Sequence, residues 1–243
     1  MRIGAVTTAV LLGLMAVAAT SPAGAEQAAV DQAVRPPFVR SVLTADTSQL
    51  LFATGSGGSL MMTGVASRPS PDWNRREVFW RRGTAPSTDQ TSCATWVGES
   101  GDMLQEGLAL RVREGRSGRV RAVTLTKNTE FGVHWYFNVL TWDTARNQDL
   151  WRTVGQFDMA AAVLDRDGAQ LPFPWRVCLR AVGPRVSFKV WLPERMSKPS
   201  WTDRTYARSA KLPRGFLAAG RPGWYVGHVP AGGSLVYRGL TAR

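Results

Sequence analysis

The chain has 243 residues, 44% hydrophobic and 20% charged, with a formal net charge of +12. It is long enough for a substantial core in one large domain or two small ones, and no segment beyond the first 25 residues is long and apolar enough to cross a membrane. The charge is mostly Arg, the lysines being Lys127, Lys189, Lys198 and Lys211, and it points to anionic partners such as acidic polysaccharides or wall polymers.

The elements begin with a leader. Arg2 is the only charge before Glu26; an apolar run spans Ile3–Ala19, followed by Ser21, Pro22 and Ala23-Gly24-Ala25. A charged start, an apolar centre and an A-x-A site form a secretory signal peptide, so residues 1–25 are expected to be removed and Glu26 to begin the mature chain. The alternative is an uncleaved anchor, but the run is short for a bilayer span and rich in Ala, Gly and Thr. No Cys near the site would carry a lipid. Cleavage leaves 243 − 25 = 218 residues. Residues 26–37 read as a linker ending in Arg35-Pro36-Pro37, with Glu26–Val34 either a short helix or loose chain, and the domain as 38–243.

Period-two alternation broken by Gly, Pro, Asn and Asp dominates the rest. It predicts strands at Gln49–Ala53, Ser59–Ser67, Arg76–Arg81, Cys93–Val97, Gly107–Glu114 and Val120–Lys127. Further strands are expected at Val133–Trp142, Trp151–Phe157, Trp175–Val182, Arg185–Leu192, Gly223–Val229 and Ser234–Leu240. Turns fall at Glu114–Arg119, Gly183-Pro184 and Pro230–Gly233. The longest connection, Pro193–Pro222, carries Pro199, Trp201, Tyr206 and Pro213 and a short extra strand near Thr205–Lys211; its length and aromatic content suggest function. In Gly107–Glu114, Leu108, Leu110 and Val112 are expected on one face and Ala109, Arg111 and Arg113 on the other. In Trp175–Val182, Trp175, Val177 and Leu179 oppose Arg176, Cys178 and Arg180. One packed and one polar face is the pattern of antiparallel sheets in a sandwich.

Cys93 and Cys178, 178 − 93 = 85 residues apart, are an even pair in a chain read as exported. They are expected to form a disulfide between two strands.

The runs GLALRVR (Gly107–Arg113), TKNTEFGVHWYF (Thr126–Phe137) with Trp142-Asp143, FKVW (Phe188–Trp191) and the ending GRPGWYVGHVPAGGSLVYRGL resemble a concanavalin A-like lectin/glucanase jelly roll. The likeness runs from Phe38 to Thr241 and is nearest to exported bacterial proteins with one such domain. It implies an all-β, antiparallel two-sheet jelly-roll sandwich, and glycan binding or glycan hydrolysis as a class.

The strand Val133–Trp142 offers the chemistry. Val133, Trp135, Phe137 and Val139 read as core; His134, Tyr136, Asn138, Leu140 and Trp142 share the other face. Aromatic rings stack on sugar faces, and amide and imidazole groups bond hydroxyls, so this row is a candidate glycan groove. The alternative is that these side chains are buried and satisfied internally, as most of ten Trp must be. Trp191 and Lys189, with Arg111, Arg113, Arg176 and Arg180, would add a basic, aromatic lining suited to carboxylate or sulfate if they share that polar face.

Catalytic signals are thin. The one i, i+2 acidic pair, Asp165 and Asp167, precedes Gly168 and reads as a turn; as a calcium loop it lacks further oxygen ligands, and no cofactor or metal is expected. Glu106 and Asp143 could meet across strands as a glycosidase pair, with His134 a further catalytic candidate, but no motif supports them. His228 reads as structural or rim. No Gly-x-Ser-x-Gly, HExxH, CxxC or phosphate loop occurs. The first reading is an exported, non-catalytic module that binds a polysaccharide, an acidic one among the candidates, or a cell-wall glycan through an aromatic and basic concave face; the others are a hydrolase or lyase with a non-standard site, and a structural envelope protein. Nucleic acid is not an expected partner.

Overall fold

The computed structural model describes residues 38–45, 49–56, 58–66, 75–101, 104–115, 117–130, 134–146 and 149–243. The expected leader and linker lie outside them, as do the side chains of residues 49–52, 54, 56, 65, 66, 130 and 134. The fold is an all-β jelly-roll sandwich. Its strands are β1 (Phe38–Thr44), β2 (Gln49–Ser56), β3 (Ser59–Ala66), β4 (Arg76–Arg81), β5 (Gln90–Ser100), β6 (Gln105–Glu114) and β7 (Val120–Glu130). They continue as β8 (His134–Asp143), β9 (Trp151–Asp158), β10 (Trp175–Val182), β11 (Arg185–Trp191), β12 (Ala207–Lys211), β13 (Arg221–Gly227) and β14 (Ser234–Ala242). One helical turn, α1 (Ala160–Val163), and a 3₁₀ turn at Arg214–Phe216 complete the elements.

A front sheet runs β1-β4-β13-β6-β7-β8-β9 and a back sheet β12-β11-β10-β5-β14-β3-β2. Every strand pairing is antiparallel. The core between them is aromatic. Trp96 stacks with Phe137 and Tyr237, and Phe137 with Phe188. Trp175, Val177 and Leu179 join it, as the alternation predicts. The expected extra strand after Thr205 is β12. The sequence reading omits β1, a short run that follows two prolines.

A bulge corrects one expected face. Register shifts between Leu110 and Arg113, where Arg111 takes a positive φ of 51°. One extra residue reverses the alternation. Leu108 and Leu110 therefore stay in the inter-sheet core, while Val112 joins Ala109 in a second buried cluster.

That second cluster fills the outer side of the front sheet. It includes Leu43 of β1, Val78 and Trp80 of β4, Tyr225 of β13, Ala122 of β7 and Trp142 of β8. β1 and β7 come into contact although β4, β13 and β6 lie between them, so the sheet is strongly curled. Its inner side is occupied by the back sheet, so the outer side is the concave one.

Among the described residues two buried charged groups lie on the inner side of the front sheet, Glu77 with Arg40 and Arg75, and Lys127 with two glutamates. Lys127 Nζ sits 2.8 Å from Glu106 Oε2 and also bonds Glu99, with Lys127 and Glu106 2% and 1% exposed. Burial pushes the Glu106 carboxyl up to about 8, against the pull of Lys127.

Candidate functional site: a polar row on the concave sheet

Two register rows cross the concave face from its buried cluster to the half-buried and exposed positions of β8 and β9. In one, Val78, Tyr225, Gly107, Thr126, Asn138 and Gln156 lie side by side. In the next, Asn128 opposes Tyr136 and Tyr136 opposes Asp158. Gly107 makes the first row compact. A Cβ there would lie 2.2 Å from the Leu125 carbonyl oxygen and 2.7 Å from the Tyr225 ring, so only Gly lets that ring lie across the strand.

Polar side chains link along these rows. The Tyr225 hydroxyl donates to Gln105 Oε1 at 3.0 Å, and Gln105 Nε2 donates to Asn128 Oδ1 at 3.2 Å. Gln105, Asn128, Tyr136 and Asn138 are half-buried and Gln156 is exposed. Asn138 Oδ1 is buried and accepts no hydrogen bond among the described residues. An unmet acceptor of this kind costs about 1–3 kcal/mol unless a donor arrives from outside.

A bulge in β9 sets the far end. Register shifts between Val139 and Leu140, so Thr153 and Trp151 return to the face of Gln156. Trp151 opposes Trp142, their rings 6.3 Å apart, and is 46% exposed. From Trp151 to Gln156 the edge strand spans roughly 15 Å. An exposed indole at one end and amides at the other is an arrangement that can stack on a sugar ring and bond its hydroxyls.

The expected site residues divide among several places. Tyr136 and Asn138 share the concave row. The backbone of His134 begins β8, and its side chain lies outside the described residues. Trp142 is on the same face but fully buried, donating Nε1–H to Thr124 Oγ1 at 2.9 Å. It stacks near Tyr225 and supports the face from below. Arg111 is 2% exposed and donates to the carbonyls of Thr88, Phe216 and Gly183, tying three loops together. Its guanidinium is used by the fold. Arg113, opposite Arg121 past the bulge, donates to the Gly215 carbonyl, next to the Phe216 carbonyl that Arg111 holds.

Trp191 belongs to the other sheet. It lies on the outer side of the back sheet with Lys189, Arg176 and Arg180, so the single lining that would join them to Arg111 and Arg113 is not formed. Directly opposed Cys93 and Cys178 form the disulfide there, packed with Trp191, Met196 and Trp201.

The acidic candidates do not meet. Glu106 is inside with Lys127, and Asp143 is gripped by Arg119 and Arg121. The register of β6, β7 and β8 sets them about 20 Å apart along the strands, too far for the carboxylate pair of a glycosidase. Hydrogen bonds from Arg119 hold the Asp143 carboxyl down to about 2. His228 lies 2.5 Å from an Arg76 nitrogen, and burial, then Arg76, pushes its pKa down to about 4, so the neutral ring accepts the Arg76 proton. Asp165 Oδ1 accepts the amides of Asp167 and Ala169, a turn as the sequence suggests.

Sequence reasoning did not include Gln105, Asn128, Gln156 and Trp151 in the site. Alternation in β9 alone would place Trp151 and Gln156 on opposite faces; only the bulge unites them.

No family model matches the chain, and no curated protein matches it. Among solved structures it is similar to the CBM2 module of the evolved Dit of Lactobacillus casei BL23 phage J-1, at 11% identity and TM-score 0.42 over 84% of this chain and 95% of that one. It is also similar to the exoplasmic/lumenal domain of VIP36 in a Ca²⁺/Man3GlcNAc-bound form, at 10% identity and TM-score 0.45, covering 86% and 84%. A third is the carbohydrate-binding module CBM66 from Bacillus subtilis, at 12% identity and TM-score 0.38, covering 84% and 94%. Likeness at this level leaves function to be argued from this chain's own residues.

Proposed function

We propose that the protein is an exported, non-catalytic glycan-binding module of the concanavalin A-like type, which holds a polysaccharide or cell-wall glycan on the concave face of its front sheet. The observation that carries this reading is the row of Tyr136, Asn138 and Gln156 beside the exposed Trp151, with Asn138 Oδ1 lacking a donor among the described residues. Sugar hydroxyls supply such donors. A buried disulfide supports export, because such bonds persist in oxidising compartments.

The test is a binding panel of insoluble and soluble polysaccharides, run on protein recovered from a secreting host. Trp151→Ala and Asn138→Ala should each weaken binding of the best ligand about tenfold, a change of about 1.4 kcal/mol, without moving the melting temperature. Unchanged affinity in both variants, or a wild-type chain that binds no glycan, overturns the reading.

A further inference from the structure

The outer side of the back sheet carries a different chemistry. After β11 the chain folds back over this face before entering β12, which brings Trp201 onto the sheet. Arg180 Cζ lies 4.2 Å from the centre of the Trp201 ring and Lys189 Nζ 4.5 Å from it. Two clefts, of about 650 and 540 Å³, adjoin here and share Arg180 and Trp201 as a common wall. The larger adds Arg185, Arg204 and Arg208; the smaller adds Arg176, Lys198 and Arg243, with the disulfide in its wall.

Among the described residues, the side chains of Arg176, Arg180, Arg185, Lys198, Arg204 and Arg208 form no ion pair. The ion pairs among the described residues engage Arg40, Arg75, Arg119, Arg121, Arg146 and Lys127, which lie elsewhere. Asp203 is the side-chain carboxylate in the two linings, and its Oδ1 accepts the amides of Thr205 and Tyr206. Beneath Trp201, Lys189 is 1% exposed and donates to the Pro199 carbonyl. The charges acting on it are those of Lys198 and Arg180, both positive, and burial is the main cause that pulls its pKa down to about 8. A buried ammonium facing like charges destabilises a fold unless an anion offsets it.

We propose that this face is a second binding site, for a linear anionic polysaccharide whose chain passes both clefts across Trp201. Repeated oxyanions, carboxylate or sulfate, lie against the arginines on either side. Arg180 is held over the indole, and its N–H groups are available for bidentate donation. The part of the indole left exposed between the clefts offers an apolar contact to a sugar ring, which separates this ligand from a bare polyanion. The site is independent of the concave row on the opposite sheet.

Binding of size-defined heparin oligosaccharides and polygalacturonate, measured over a salt series, tests the proposal. Polyphosphate and duplex DNA serve as anions without this sugar chemistry. Arg180→Gln, Lys198→Gln and Arg204→Gln combined should weaken the tighter of the two polysaccharides about 100-fold and flatten its log–log salt slope by roughly three. Heparin binding the tighter assigns sulfate, polygalacturonate carboxylate. Trp201→Phe should keep the fold and the salt slope but lower affinity severalfold, a loss that binding on the concave row alone would not show. The proposal is overturned if the triple variant binds like wild type, if neither polysaccharide binds, or if polyphosphate or DNA binds as tightly with no effect of Trp201→Phe.

Discussion

Loss of the Cys93–Cys178 bridge is the perturbation whose size follows most directly from the fold. The two residues are 85 positions apart and directly opposed on neighbouring strands β5 and β10. Closing a loop of that length removes about 15 cal/mol/K of entropy from the denatured chain, or about 4.5 kcal/mol at 25 °C. In the native state the strand ladder already holds the positions together, so the Cys93→Ala/Cys178→Ala variant keeps the same register. Its unfolding free energy in urea should fall by about 4 kcal/mol, and its melting temperature by roughly 10–15 °C. The slope against denaturant should rise, because the freed denatured chain expands and exposes more surface. Reduced wild-type protein should reproduce both changes. The bridge adds no charge to its cleft, so anion binding well below the melting temperature should change less than threefold. A loss under about 1.5 kcal/mol with an unchanged slope would refute the entropic reasoning.

Trp142→Ala removes a fully buried indole between Tyr225 and Trp151 and orphans the Thr124 hydroxyl; it should cost about 3–5 kcal/mol by denaturant melts, and a near-neutral result would show that Trp142 is not a packing residue. Lys127→Met strands Glu106 and Glu99 together inside and should cost about 3–5 kcal/mol. Since burial raises Glu106 above its usual 4.5 to about 8, its contribution is full below 4.5 and is lost as pH rises to 8; without Lys127 that loss should steepen, and equal destabilisation at pH 5 and 8 contradicts it. Asp143 has the opposite sign: lowered to about 2, chiefly by Arg119, it stabilises above 3.8 and ceases to as pH falls through 2. Asp143→Asn should therefore flatten the acid limb of the melting curve below pH 4, and an unaltered limb counts against the ion cluster. Lys189→Met should stabilise the unliganded protein at pH 7 by about 1 kcal/mol while weakening anionic polysaccharide binding; loss of stability with full binding would contradict the argument.

The fold was legible because its strands are two-faced. Alternation in β10 and β11 placed Arg176, Arg180, Lys189 and Trp191 together, and they do share one side of one sheet. The same reasoning failed in β6, where a single residue at Arg111 reverses every later side chain; the sequence there, Leu-Arg-Val-Arg, alternates as well with the bulge as without it. It also could not say that β6 and β10 belong to different sheets, since sheet membership is fixed by long-range pairing rather than local pattern. The concave row shows the same division between local and distant information. Tyr136 and Asn138 lie two residues apart on one strand and were readable. Gln105, Asn128 and Gln156 reach them only through the registers of β6, β7 and β9, and Trp151 only through a second bulge. The burial of Trp142 follows from the curl of the whole front sheet, to which strands from β1 to β8 contribute.

That division bears on the net charge, which the sequence spreads along the chain. Folding pairs Arg40 and Arg75 with Glu77, Arg119 and Arg121 with Asp143, and Lys127 with two glutamates. Of the cations outside these pairs, Arg176, Arg180, Arg185, Lys189, Lys198, Arg204 and Arg208 gather beside Trp201 on the back sheet. Like charges gathered there repel one another and destabilise the unliganded state, whereas the same residues scattered over the surface would be screened. Solubility requires charge, but it does not require this placement. A bound polyanion would turn the repulsion into attraction, which is why the placement, rather than the total of +12, is the argument for a ligand on this face.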